Sequence, residues 1–173
     1  AAPDVRREIG ERLGRRFALI NAGIARPNLR MEVYECPDEE AKLRLLVDLA
    51  RAEEGSGIVY ARARDKCEEL AKVLRGNGVS ALHYHAGMAP EERDAAQSVF
   101  MEGERRVICA TVAFGMGIDK ADIRWILHYN LPKSVENYWQ EAGRAGRDGL
   151  PAKCALLSTP ADEKQVERWV RQE

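Results

Sequence analysis

Gly143, Gly146 and Gly149 stand three residues apart, with Arg144 and Arg147 in the gaps between them. Glycine has no side chain and adopts positive φ at little cost, so a backbone rich in it can approach a ligand closely. Arginine carries a permanent charge and a planar fork of donors matched to phosphate oxygens. The stretch from Tyr138 through Gln140 to Gly149 therefore reads as a loop built to meet a polyphosphate. The plainer reading is a glycine-rich surface turn with solvated arginines.

Three further stretches offer phosphate chemistry. Thr111 to Lys120 follows an apolar run; its hydroxyl and exposed amides suit a nucleic-acid backbone, Gly115 and Gly117 permit close approach, and Asp119 can accept from a ribose hydroxyl. Against this stands a glycine-eased crossover loop, and Lys120 rules out a dinucleotide-binding G-x-G-x-x-G. In His83 to Met88, His85 with Gly87 suits a phosphate contact, or His85 is a hydrogen-bonded structural histidine, the better reading for His83. Two histidines with no further ligand nearby do not make a metal site, so none is expected. In Tyr60 to Asp65, Arg62 or Arg64 is placed to neutralise a phosphate, or both are solvated ahead of a helix.

The elements that must position these residues are legible as short apolar runs separated by helical stripes. Strands are expected at 30–36, 57–60, 79–84, 107–110, 125–129 and 152–157. Helices are expected after Asp4, after Asp38, after Asp65 (with Glu68 completing a capping box), from Pro90, after Ser134 and after Thr159. Phe17 to Ile20 is a further short apolar segment. Alternating strands and helices with unbroken apolar strands predict an α/β protein with a mainly parallel sheet covered on both faces. Ligands of such sheets bind beyond the C-terminal strand ends, where Ala61–Arg64, His85–Met88, Thr111–Lys120 and Asn130–Ser134 fall.

Size and composition set the bounds. The 173 residues suffice for a single domain, 1–173, with a sizeable core. With 27 basic and 28 acidic side chains the net charge is -1, so any nucleic-acid partner must be held by locally placed cations. No apolar run is long enough to cross a membrane and no signal-peptide pattern opens the chain. Cys36, Cys67, Cys109 and Cys154 form no C-x-x-C pair and read as buried thiols of a reducing compartment. No G-x-x-x-x-G-K-S/T loop is present to cradle ATP phosphates. Phosphate-reading arginines without a phosphate-cradling loop are half of a site, completed from another domain or subunit in the manner of an arginine finger.

These residues resemble the second RecA-like domain of RecQ-family DNA helicases. Val107 to Lys120 is similar to the family's motif V, Leu131 to Glu136 with Tyr138 and Gln140 to Gly149 to motif VI, and Ile58-Val59-Tyr60 to motif IV. Tyr84 to Met88 matches the segment between motifs IV and V, and Arg26-Pro27-Asn28-Leu29 the family's first strand of this domain. The similarity runs from about residue 26 to about residue 162, departing at Ala22–Ala25 and Ala61–Arg64.

The resemblance implies a RecA-like three-layer α/β/α fold and 3′-to-5′ DNA unwinding driven by ATP and Mg²⁺. It implies Arg147 as the arginine finger, with Arg144 and Gln140 beside it and Gly117 and Asp119 toward the nucleotide. Arg62, His85, Gly87 and Thr111 would lie along the DNA backbone. The expected partners are DNA, single-stranded and at duplex junctions, and the family's first RecA-like domain, which this chain lacks, as it does the family's zinc module. The expected setting is intracellular and DNA-associated, in repair and recombination. The isolated domain is expected to be inactive. Two alternatives stand: a nucleic-acid-binding or regulatory module without ATPase, and the matching lobe of an RNA helicase, against which Gln140 argues.

Overall fold

A strand buried on both faces must be apolar at every position. Ile58-Val59-Tyr60, Val107 to Ala110 and Trp125 to Leu127 satisfy this, and all are buried; His128, which ends the last run, is a buried polar exception. The computed structural model describes residues 11–12, 25–114 and 119–170. Its strands are β1 (Leu29–Glu35), β2 (Ser56–Tyr60), β3 (Ala81–Tyr84), β4 (Val107–Ala110), β5 (Ile123–His128) and β6 (Ala152–Ser158). They form one sheet in the order β1-β6-β5-β2-β4-β3, with every neighbouring pair parallel. The helices are α1 (Glu39–Ala52), α2 (Arg64–Gly76), α3 (Pro90–Met101), α4 (Val135–Ala142) and α5 (Pro160–Val170). The expected helix after Asp4 and the apolar segment Phe17–Ile20 lie outside the described residues, apart from Glu11 and Arg12.

The two-residue period of a strand divides the core into two layers. Val59 and Ala61 pack with Leu46 and Val47 of α1 and Cys67 and Leu70 of α2. Ile58 and Tyr60 point the other way, to Phe100 of α3, Ala142 of α4 and Ala145. Helices thus cover both faces of the sheet. From β2 the chain leaves toward β3 on one side, and from β5 toward β6 on the other. Right-handed crossovers then put α2 and α4 on opposite faces. Because β2 and β5 are neighbours, a crevice opens between their C-terminal ends.

Helix starts follow local chemistry, with one correction. Asp38 accepts from the Ala41 N–H at 2.7 Å and Ser134 from the Asn137 N–H at 3.1 Å. Thr159 and Asp162 cap α5 reciprocally, at 3.1 and 3.3 Å. The box expected at Asp65 and Glu68 does not form. The helix α2 begins two residues earlier than a cap at Asp65 would place it, and its cap residue is Ala63. Asp65 accepts from Lys66 N–H instead, and Glu68 turns to His85.

A buried pair ties α5 to α1. Lys42, with no exposed surface, donates to Asp162 Oδ2 at 2.6 Å and lies 4.6 Å from the Tyr129 ring centroid. Burial pushes the Asp162 carboxyl up, but hydrogen bonds from Lys42 and Thr159 outweigh it and hold the pKa below its ordinary value. A carboxylate depressed in the fold adds stability above its unfolded pKa, and this is lost as pH falls through the folded value. Removing one partner of such a pair costs about 3–5 kcal/mol. Lys42→Ala should lose that much in urea unfolding at neutral pH. The deficit should shrink below the ordinary carboxylate value of about 4; a pH-independent deficit would contradict this account.

Candidate functional site

The Gly143–Gly149 loop does not lie at the C-terminal rim of the sheet. After α4 the chain runs along the α3/α4 face toward the start of β5. There Gly146 N–H donates to Ile123 O at 2.9 Å and Asp148 N–H to Ala121 O at 3.3 Å. The loop therefore runs down the flank of the sheet, while Arg144, at its start, reaches the cleft at the strand ends.

What fixes this path comes from far away in sequence. Arg26 donates to the carbonyls of Gly143 at 3.0 Å, Ala145 at 2.7 Å and Gly146 at 2.9 Å. Asn28 Nδ2 donates to Gly146 O and Leu150 O, both at 2.9 Å. The sequence marked Arg26–Leu29 as a turn into a strand but not as the clamp on this loop. Gly146 has φ +54°, and a Cβ there would stand 2.6 Å from Asn28 Nδ2 and 2.7 Å from Leu150 O. A left-handed non-glycine residue alone costs about 1–3 kcal/mol. Gly146→Ala should therefore lose at least about 2 kcal/mol in denaturant unfolding, whereas wild-type stability would refute the tight clamp.

Arg147 Nη1 donates to Asp119 Oδ1 at 3.0 Å, with the two side chains 36% and 90% exposed. Arg144 is half-buried and lies near Tyr60. Burial pushes the Tyr60 hydroxyl up, Arg144 acts against it, and the hydroxyl donates to Phe114 O at 3.2 Å. Gln140 is exposed on α4. Tyr60, Arg62, Asn130, Lys133, Gln140 and Arg144 line a cleft of about 450 Å³ at the ends of β2 and β5. Among the described residues the lining's one carboxylate, Glu141, is buried and engages His128 Nε2 at 2.7 Å.

The residues expected along DNA follow the rim but are held there by the protein. Arg62 donates through its backbone N–H to Asn130 at 3.1 Å, and through its guanidinium to Gln165 at 2.9 Å and Leu131 O at 3.2 Å. Thr111 is 9% exposed and donates its N–H to Tyr84 O. His85 is 5% exposed, with Nε2 at 2.9 Å from Glu68 Oε1 and its ring stacked on His83. Gly87 sits against Arg64 and His85, where a Cβ would come within 3.1 and 3.3 Å of their nitrogens. Gly117 lies outside the described residues.

Folding thus separates the expected site into a flank set (Asp119, Gln140, Arg144, Arg147) and a rim set (Arg62, His85, Gly87, Thr111). The cleft joins them through Arg62, Gln140 and Arg144. The cysteines are buried and unpaired, and burial pushes the Cys67 and Cys154 thiols up to about 12. Among the described residues no helix is long and apolar enough to cross a membrane.

The helicase conserved C-terminal domain family matches residues 41–149. The chain belongs to that family. Within it, the helicase C-terminal domain described here is of the RecQ type. A protein of Caenorhabditis briggsae named for ATP-dependent DNA helicase Q1 is 45% identical over 177 residues, covering 100% of this chain and 29% of its own. The ATP-dependent DNA helicase RecQ of Haemophilus influenzae is 45% identical over 138 residues, covering 79% of this chain and 22% of its own. The chain spans under a third of the length of these relatives. Of the solved structures, the Escherichia coli DEAD-box protein SrmB, bound to a regulator of ribonuclease activity, superimposes with a TM-score of 0.73 at 29% identity. That match covers 82% of this chain and 85% of the other. Yeast Dbp5 bound to Gle1 and IP6 reaches a TM-score of 0.81 at 20% identity over 99% of this chain and 45% of its own. The fold of this helicase C-terminal domain is accordingly RecA-like.

Proposed function

We propose that this domain is the C-terminal motor lobe of an ATP-dependent 3′-to-5′ DNA helicase acting inside the cell in DNA repair and recombination. It lends Arg147 to ATP held by a first RecA-like lobe and grips the DNA backbone along the rim. The observation that carries this reading is the accessible Arg147–Asp119 pair on a loop clamped by Arg26 and Asn28. An exposed ion pair contributes only about 0–1 kcal/mol, so Arg147 can exchange its carboxylate for a phosphate oxygen with little loss. Arg144 and Gln140 line the adjoining cleft, where a second guanidinium and an amide can read phosphate or the partner lobe.

The fit to Mg²⁺ is different. Among the described residues the one carboxylate lining the cleft, Glu141, is committed to His128, so this part of the cleft does not fit Mg²⁺ and its ligands are assigned to the first lobe. Bound there with ATP, the ion would neutralise phosphate charge; this lobe supplies guanidinium donors, orientation and a closing surface. On the rim, Arg62, His85, Gly87 and Thr111 are assigned to DNA phosphates. Of these, His85 must first give up Glu68.

The test is a two-lobed protein assayed for ATP hydrolysis and for unwinding of 3′-tailed DNA and RNA duplexes. DNA-stimulated hydrolysis with DNA unwinding is expected, and the isolated 173-residue chain should show no turnover. Turnover by a pure isolated chain would overturn the half-site. A second reading is the matching lobe of an RNA helicase. Preferential RNA unwinding would establish it. Salt-sensitive DNA binding by the isolated chain at about micromolar Kd, with no hydrolysis by the two-lobed protein, would mark a binding module instead.

A further inference from the structure

We propose that Glu68, His83 and His85 form a binding site for a first-row divalent transition ion such as Zn²⁺. Residues two apart on an extended chain share a side, and the His83 and His85 rings stack with centroids 5.6 Å apart and planes 22° apart. The sequence offers no third ligand beside them. The fold supplies one: α2 packs next to β3 and delivers Glu68, whose Oε1 lies 2.9 Å from His85 Nε2. One ligand atom from each of the three side chains lies within 4.8 Å of the others.

A tetrahedral ion at about 2.0–2.2 Å from its ligands holds them roughly 3.4 Å apart. The cluster therefore needs to close by about 1 Å. The Glu68 side chain is 56% exposed and can make that movement, while His85 is 6% exposed and preset by the fold. The other ring nitrogen of His85, Nδ1, is buried and makes no hydrogen bond. Two imidazoles and a carboxylate suit zinc, cobalt or nickel rather than magnesium or calcium. Three protein ligands leave a coordination position for water or another donor.

The bound ion would replace the Glu68–His85 hydrogen bond, tie α2 to the loop at His85–Met88, and cancel the Glu68 charge on the rim. None of this depends on the helicase reading. The test is a titration of the tag-free chain with Co²⁺, followed by its visible absorption, and with Zn²⁺ by competition. Saturable binding of one ion per chain is expected, without the near-ultraviolet band of cobalt–thiolate bonds. Affinity should fall about tenfold or more in His83→Gln and in Glu68→Gln. These side chains are chosen because His85 is buried and its replacement risks the fold. Absence of saturable binding, a thiolate band, or unchanged affinity in both variants would overturn the site.

Discussion

Arg147→Ala in the two-lobed enzyme is expected to abolish ATP hydrolysis while leaving DNA binding intact. An arginine finger accounts for about 10³–10⁵ in kcat, so kcat should fall by that factor. In the proposed role its fork would stabilise the charge that develops on the transferred phosphoryl group. Arg144 is half-buried beside Tyr60 and is directed into the cleft. Arg147→Lys should recover only part of the loss, because an ammonium presents a point charge rather than two parallel donors. Loss of the exposed Arg147–Asp119 pair itself should cost only about 0–1 kcal/mol. Near-normal hydrolysis by Arg147→Ala would remove this residue from the chemistry.

Arg26→Ala should produce the second largest loss, though Arg26 is assigned no contact with nucleotide or DNA. It holds the carbonyls of Gly143, Ala145 and Gly146, the backbone from which Arg144 and Arg147 project. A misplacement of about 1 Å at a reacting centre costs roughly 10²-fold, and kcat for ATP should drop by that order. KM for ATP and affinity for DNA should change little. Hydrogen bonds to a charged group contribute about 1.5–3 kcal/mol, so unfolding should also become easier by about that amount. Stability alone would not lower kcat at a temperature where the variant is fully folded. A folded variant with wild-type kcat would show that the clamp only stabilises and does not position.

Much of the architecture was legible because its signals are local. Unbroken apolar runs such as Val107–Ala110 identify doubly covered strands, and Asp38 and Ser134 identify helix starts through their own hydrogen bonds. The chemistry of the Gly143–Gly149 loop was legible from residue types alone. The geometry was not, because it depends on contacts across the chain. Arg26 reaches carbonyls 117 to 120 residues away. Glu68 was read as part of a helix cap, but it lies 17 residues from His85 in sequence and 2.9 Å from it in space. His128 gave no signal in its apolar strand, and only the fold brings it to Glu141. For His85 the sequence left a phosphate contact and a hydrogen-bonded histidine both open, and only the fold shows its partner Glu68; nor did the sequence show that Arg62 is held by Gln165 and Leu131.

The turns at Gly78 and Gly103 precede β3 and β4, at the end of the sheet order away from β6 and β1, beside which the Gly-Arg loop lies. Nothing stands within 4 Å of a Cβ built at either glycine, and Asn77 and Glu104 beside them are exposed. Both glycines have positive φ, so the neighbours rather than the glycines are the positions to change. A fluorophore at Asn77 or Glu104 would ride on the rigid sheet without touching either candidate ligand surface. Paired with a second dye on the first lobe, it gives a ruler for interlobe distance during turnover, and the same corner is where a fused reporter domain can be inserted.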